Sequence, residues 1–266
     1  GLVGRDGAFT PELLARINTL LEVADRQGLK VMICLTGSLP HLEELDTWRR
    51  FVRTGVEPFA YDGRVLMWDL INEPGGSEGP KATPQLARWI TTMYAHLQTV
   101  APNHLLTVGL CWQFDQLWDL GVRPPVAQFH NYSGAVGVQP PGSPPVRNVA
   151  DDLRAIQAFI GQRPLVIGEF GYATVPDDAR KDASPERQLE IYEGVLKGAQ
   201  VARIAGVYNW TLMHFIPDWM GKGEQSFGVV LPNDSLKPAG ELLRETYRRW
   251  REEAPATWEV SVPEAD

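Results

Sequence analysis

Val65-Leu66-Met67-Trp68-Asp69-Leu70-Ile71-Asn72-Glu73-Pro74 carries the clearest signal of the architecture. It is a short, mostly apolar run that ends on a polar pair and a proline. A second stretch repeats the plan: Leu165-Val166-Ile167-Gly168-Glu169-Phe170-Gly171. Runs this short and this apolar read as strands buried on both faces, which is the signature of a parallel sheet. A carboxylate at the end of such a strand is costly unless it is paired, hydrogen-bonded or used. Two of them, Glu73 and Glu169, predict two strands delivering carboxylates to one rim of a barrel.

Similar runs recur at Val31–Leu35, Leu105–Leu110, Val126–His130 and Val207–Leu212. Helical patterns separate them. Thr10-Pro11 opens an amphipathic pattern through Leu13, Leu14, Ile17, Leu20, Leu21 and Ala24, with Gly28 as its stop. Further starts fall at Thr83-Pro84, Asn148, Ser184-Pro185 and Lys237-Pro238, each offering a capping side chain or a proline at the first turn. Strands alternating with helices predict an α/β fold, a TIM-type (β/α)8 barrel. Here it is incomplete, with about six βα units, and the chain opens on the helix before a third strand. The segments leaving the strands are long, notably 132–147 and 214–236, and long loops after strands build the active face of a barrel. The barrel is expected to occupy residues 1–254. Residues 255–266 form a C-terminal extension whose 257–262 stretch alternates like a half-exposed strand.

Composition narrows the function classes. The chain has 266 residues, 44% of them hydrophobic, enough for one large core. Its net charge of -8 is spread among interspersed basic and acidic residues, which disfavours nucleic acid or an anionic membrane and suits a neutral substrate. No apolar run is long enough to span a membrane. No signal peptide is visible in the sequence, so the compartment stays open. Cys34 and Cys111 are too few for a disulfide framework and are expected as buried free thiols. His41, His96 and His104 read as ordinary surface or capping residues, and no histidine spacing suggests a metal.

Taken in order, Asn72-Glu73-Pro74, Phe129-His130-Asn131-Tyr132, Gly168-Glu169-Phe170-Gly171 and Tyr208-Asn209-Trp210 resemble the clan A glycoside hydrolases. The resemblance is closest to family 5, the group of many endo-β-glucanases and β-mannanases, and runs from about Thr10 to Arg251. It implies a retaining β-glycosidase without a cofactor, acting on a β-linked oligo- or polysaccharide, with β-1,4-glucan or β-mannan foremost. Glu73 would be the general acid/base and Glu169 the nucleophile. Asn72 would meet the sugar's 2-hydroxyl, His130 would join the polar network, Tyr132 would support the nucleophile and Trp210 would floor the cleavage point. Trp112, Trp118 and Trp219 are candidates to extend that platform. The resemblance also implies secretion.

Two departures stand out. The first two strands are missing, and with them the arginine that usually helps keep the nucleophile ionised. The position after the third strand, often histidine, reads Leu35-Thr36-Gly37. An alternative reading is therefore a non-catalytic carbohydrate-binding or structural remnant of a barrel. An open six-stranded sheet would also leave edges at Val31–Leu35 and Val207–Leu212, which predicts self-association through those edges.

Overall fold

The computed structural model describes all residues except 1, 2, 5, 38–41, 75–82, 111–113, 133–148, 178, 179, 215–221 and 254–266. The expected strand at 257–262 therefore lies outside the described residues, as do Cys111, Trp112, Trp219 and His41. Six strands occur where the apolar runs place them: β1 (Val31–Cys34), β2 (Val65–Asn72), β3 (Leu105–Leu110), β4 (Ala127–His130), β5 (Leu165–Phe170) and β6 (Gly206–Asn209). They form one sheet in the order β1-β2-β3-β4-β5-β6, with every pair parallel. The sheet curls into an incomplete TIM-type barrel.

Helices α1 (Pro11–Arg26), α2 (Leu45–Val56), α3 (Pro84–Val100), α4 (Phe114–Asp119), α5 (Val149–Ile160), α6 (Pro185–Ala202), α7 (Lys222–Gln225) and α8 (Pro238–Glu253) alternate with the strands. Their starts follow from local chemistry. Thr10, Thr83 and Ser184 each accept a hydrogen bond from the backbone N–H three residues on, and the proline that follows each needs no partner for its nitrogen. None of these helices is long and apolar enough to cross a membrane.

The core is split by the sheet. On the outer face of the first strands, Trp68, Leu70, Ile71, Leu106 and Val108 pack with Leu21, Trp48, Ile90 and Met93 of the helices. A second cluster joins Leu165, Ile167 and Phe170 to Tyr192, Val195 and Leu243. Inside the curl, Met67, Val126 and Val166 form a small apolar base flanked by Met32 and Tyr208. Above that base the interior turns polar: Asp69, Thr107 and Gln128 are all buried.

Two expectations fail for one reason each. Cys34 is exposed rather than buried, because β1 is an edge strand and no described strand covers its far side. Trp118 does not face the sheet's open end. It is buried in the outer cluster beside Phe159, with the Arg163 guanidinium 5.4 Å from its ring centre, because the α4 turn places it behind the wall. The edges are the most open parts of the sheet, with every residue of β6 and most of β1 only partly buried.

Candidate active site

The strand ends are bent toward one another by interruptions of register. In β5, Val166 and Gly168 face the interior while Ile167 and Phe170 join the outer core, so strict alternation would send Glu169 outward. The pairing of β5 with β6 shifts between Ile167 and Phe170, and that of β4 with β5 shifts between Phe129 and His130. These shifts re-aim Glu169 into the cleft, a common use of bulges near functional groups. In β2 a similar shift lies between Asp69 and Asn72, where Leu70 and Ile71 both pack outward in succession.

Glu73 stands one residue past β2. Its backbone is left-handed, with φ at 45°, a conformation that costs a non-glycine residue about 1–3 kcal/mol and is retained where the surroundings enforce it. Its N–H donates to the Gly109 carbonyl at 2.8 Å, and the Asn72 N–H donates to the Thr36 carbonyl at 2.8 Å. Asn72 itself is half-buried at the strand end.

Four side chains meet above the polar layer. His130 Nδ1 lies 2.6 Å from Glu73 Oε1 and 3.6 Å from Glu169 Oε2. The Tyr132 hydroxyl donates to Glu169 Oε2 at 2.7 Å. One ligand-type atom from each of Glu73, His130 and Glu169 lies within 4.8 Å of the others. The short bond between Glu73 and His130 and the hydroxyl on Glu169 already engage these atoms, so we read the trio as a proton-sharing set rather than as a metal centre. Trp210 follows β6, half-buried, with its N–H on the Phe170 carbonyl at 2.7 Å. The structure thus brings Glu73, His130, Tyr132 and Glu169 together and sets Asn72 and Trp210 at the ends of β2 and β6.

The electrostatics follow from burial and proximity. Burial pushes Glu169 above the ordinary glutamate range; the His130 charge and the Tyr132 hydroxyl oppose this, and the Glu73 and Asp69 charges add to it. Burial works against a charge on His130, yet the bond to Glu73 and the carboxylates of Glu169, Glu73 and Asp69 outweigh it and raise its pKa. Burial also raises the Tyr132 hydroxyl, with the Glu169 charge reinforcing it, so the tyrosine stays a donor. Among the described residues the ion-pair partner of Glu169 is His130, not an arginine.

Sequence reasoning missed the floor of this site. Asp69 and Gln128 face inward beneath the four side chains, where Gln128 Nε2 donates to Asp69 Oδ2 at 3.0 Å. The one available signal was the charged residue inside the apolar run of β2, four positions before Glu73.

Comparison with known proteins gives the chain its family. Residues 1–209 match the family profile described as cellulase (glycosyl hydrolase family 5). A putative mannan endo-1,4-beta-mannosidase 9 from Oryza sativa subsp. japonica is 25% identical over 184 residues, 60% of this chain and 44% of its own length. Mannan endo-1,4-beta-mannosidase 2 from the same plant is 39% identical over 56 residues, 21% of this chain and 12% of its own. This chain thus spans less than half of either plant relative. Among solved structures, GH5_18 from Streptomyces cattleya, seen with GlcNAc, superposes with a TM-score of 0.72 at 20% identity, over 94% of this chain and 69% of its own. An exo-beta-1,4-mannosidase from Opitutaceae bacterium strain TAV5 gives 0.71 at 20% identity, over 94% and 51%. At these identities the superpositions speak to the fold alone. On the profile match, which spans most of its length, the chain belongs to glycosyl hydrolase family 5.

Proposed function

We propose that this chain is the catalytic barrel of a retaining glycoside hydrolase that cleaves β-linked glycans, with β-mannan ahead of β-1,4-glucan. The observation that carries the mechanism is the approach of Glu73 and Glu169, whose nearest carboxylate oxygens are within 4.8 Å. Retaining pairs stand about 5–5.5 Å apart, whereas inverting pairs leave about 6.5–9.5 Å for a water. The preference for mannan rests on the names of the two plant relatives.

In the proposed first step a Glu169 oxygen attacks the anomeric carbon as the glycosidic C–O bond breaks, and the departing oxygen takes the proton of Glu73. Glu169 is then an ester and has lost its charge. Glu73, now ionised, takes a proton from water, whose oxygen attacks the same carbon and releases Glu169 as a carboxylate. The Tyr132 hydroxyl holds the attacking carboxylate in place, and Trp210 would pack on the C–H face of the sugar.

The test is a screen of aryl β-glycosides and soluble β-glycans with Glu73→Ala and Glu169→Ala beside the parent chain. Glu169→Ala is expected to abolish turnover and to regain part of it with azide, giving inverted product. Glu73→Ala is expected to spare substrates with good leaving groups more than natural glycans. Equal losses on both substrate types would refute the assigned roles, and a folded parent chain that binds glycans without turning them over would favour the non-catalytic reading.

A further inference from the structure

Asp69 lies beneath the reacting groups, and nothing in the reaction just described uses it. Its carboxylate is 2% exposed. Oδ1 accepts from the Gly109 N–H at 2.8 Å and the Ile71 N–H at 3.3 Å, and Oδ2 accepts from Gln128 at 3.0 Å. Three neutral donors are an expensive way to bury a charge. The imidazole of His130 closes the arrangement from above. A methyl group placed on Gly109 would sit 2.9 Å from Asp69 Oδ2, 3.0 Å from Gln128 Nε2 and 3.2 Å from His130 Nε2. These three atoms therefore surround one point, and the bare glycine lets carboxylate and imidazole face each other at roughly 6 Å or less. The other ring nitrogen, Nδ1, is the one held 2.6 Å from Glu73.

We propose that Asp69 is a positioning residue that acts on Glu73 through His130: its charge sets the pH at which the proton shared by Glu73 and the imidazole is lost. This inference rests on the proposed role of Glu73 as the acid. The working state of the site holds one proton across the short Glu73–His130 bond, and a proton resting on the ring returns along that bond to the carboxyl before it passes to the departing oxygen. A negative charge on the far side of the ring favours the proton on the ring and so keeps the pair loaded to higher pH. The other titratable groups facing the imidazole are Glu73 just past β2 and Glu169 on β5; Tyr132 after β4 is bonded to Glu169, and Cys34 of β1 lies opposite Asp69 in register. Burial lifts Asp69 to about 6, so it is ionised on the alkaline side of the profile, where the effect is needed.

Asp69→Asn tests the idea with little disturbance of shape. Gln128 Oε1 is buried without a hydrogen-bond partner, so a flipped Gln128 amide would accept from the new Asn nitrogen. Two readouts are taken: the pH profile of kcat/KM, and the 15N shifts of the His130 ring against pH, which need no turnover. In Asp69→Asn both the alkaline limb and the ring titration are expected to move down by roughly two pH units, the size of a charge about 6 Å away in a medium of effective dielectric about 20. Adding Gln128→Glu returns a carboxylate to the same pocket and is expected to restore both. Unmoved limb and ring titration in Asp69→Asn, or a lower plateau with neither displaced, would overturn the proposal. A chain that hydrolyses nothing, yet whose His130 titration moves as described, would fail the enzyme reading and leave the coupling standing.

Discussion

Tyr132→Phe removes one oxygen from the site and little else. The Tyr132 ring stands edge-on to Phe227, with centroids 6.3 Å apart and planes at 80°, and a phenyl ring can keep that contact. What is lost is the 2.7 Å donation from the hydroxyl to Glu169 Oε2. Hydrogen bonds to a charged group contribute about 1.5–3 kcal/mol, equivalent to about one to two pH units on the carboxylate that accepts them. Burial already holds Glu169 above the ordinary range, so the variant should push it further in the same direction. In the proposed role Glu169 must be ionised to attack and so would set the acid limb of kcat/KM, and that limb is expected to move up by about the same one to two units on an activated aryl β-glycoside.

Stability offers an independent check on the same bond. The native pKa of Glu169 exceeds its unfolded value, so the folded chain holds more protons in that window and stability falls as pH rises through it. Tyr132→Phe widens the window. By chemical denaturation it should cost about 1.5–3 kcal/mol near neutral pH, and the deficit should shrink once Glu169 is protonated in both states. An acid limb that does not move, with a stability deficit independent of pH, would refute the claim that the hydroxyl serves the charge of Glu169.

Three further outcomes are expected. In Gly168→Ala the new methyl would lie 2.5 Å from Gln128 Nε2 and 2.6 Å from its Cδ, an overpacking that should cost about 1–3 kcal/mol in a urea titration; a midpoint equal to the parent's would show that the floor can yield. Lys237, buried with its ammonium on Thr174 Oγ1 at 2.9 Å and the Ser226 carbonyl at 2.7 Å, is pushed down by burial to about 8 from 10.5. A lowered native pKa means the unfolded chain binds more protons between those values, so the parent should gain stability there by up to about 1.4 kcal/mol per pH unit, and Lys237→Met should lose that rise; parallel stability curves would count against it. Finally, β1 and β6 are sheet edges, with Leu29 and Leu212 near them 58% and 60% exposed, so light scattering on dilution should show a self-associating species; a strictly monomeric, cooperatively folding chain would refute it.

The strands were legible because Val65–Ile71 and its counterparts are apolar on both faces, a pattern that surface elements do not sustain. The helix starts were legible because Thr10, Thr83 and Ser184 act within their own first turn. What sequence could not supply was anything decided by neighbours distant in the chain. Cys34 reads as buried in its own strand and is exposed only because β1 lies at an edge. Trp118 is one more tryptophan beside a strand until α4 turns it behind the wall. The register shifts near Glu169 depend on pairing with β4 and β6, so no local pattern announces them.

The floor of the site shows why this blindness matters for chemistry. Gly109, Gln128 and Gly168 look like filler in three separate strands, yet together they leave the space in which Asp69 and His130 face one another. A fixed guanidinium beside a nucleophile holds it ionised at any working pH, because it does not titrate. His130 does titrate, and it is tied to Glu73 by the shortest bond in the cluster. The charge beside Glu169 and the proton on Glu73 are therefore drawn from one pool. On the proposed roles, a proton on the imidazole also favours the charge on Glu169, so its loss at high pH weakens both groups together, and Asp69 beneath the ring would set where that loss falls.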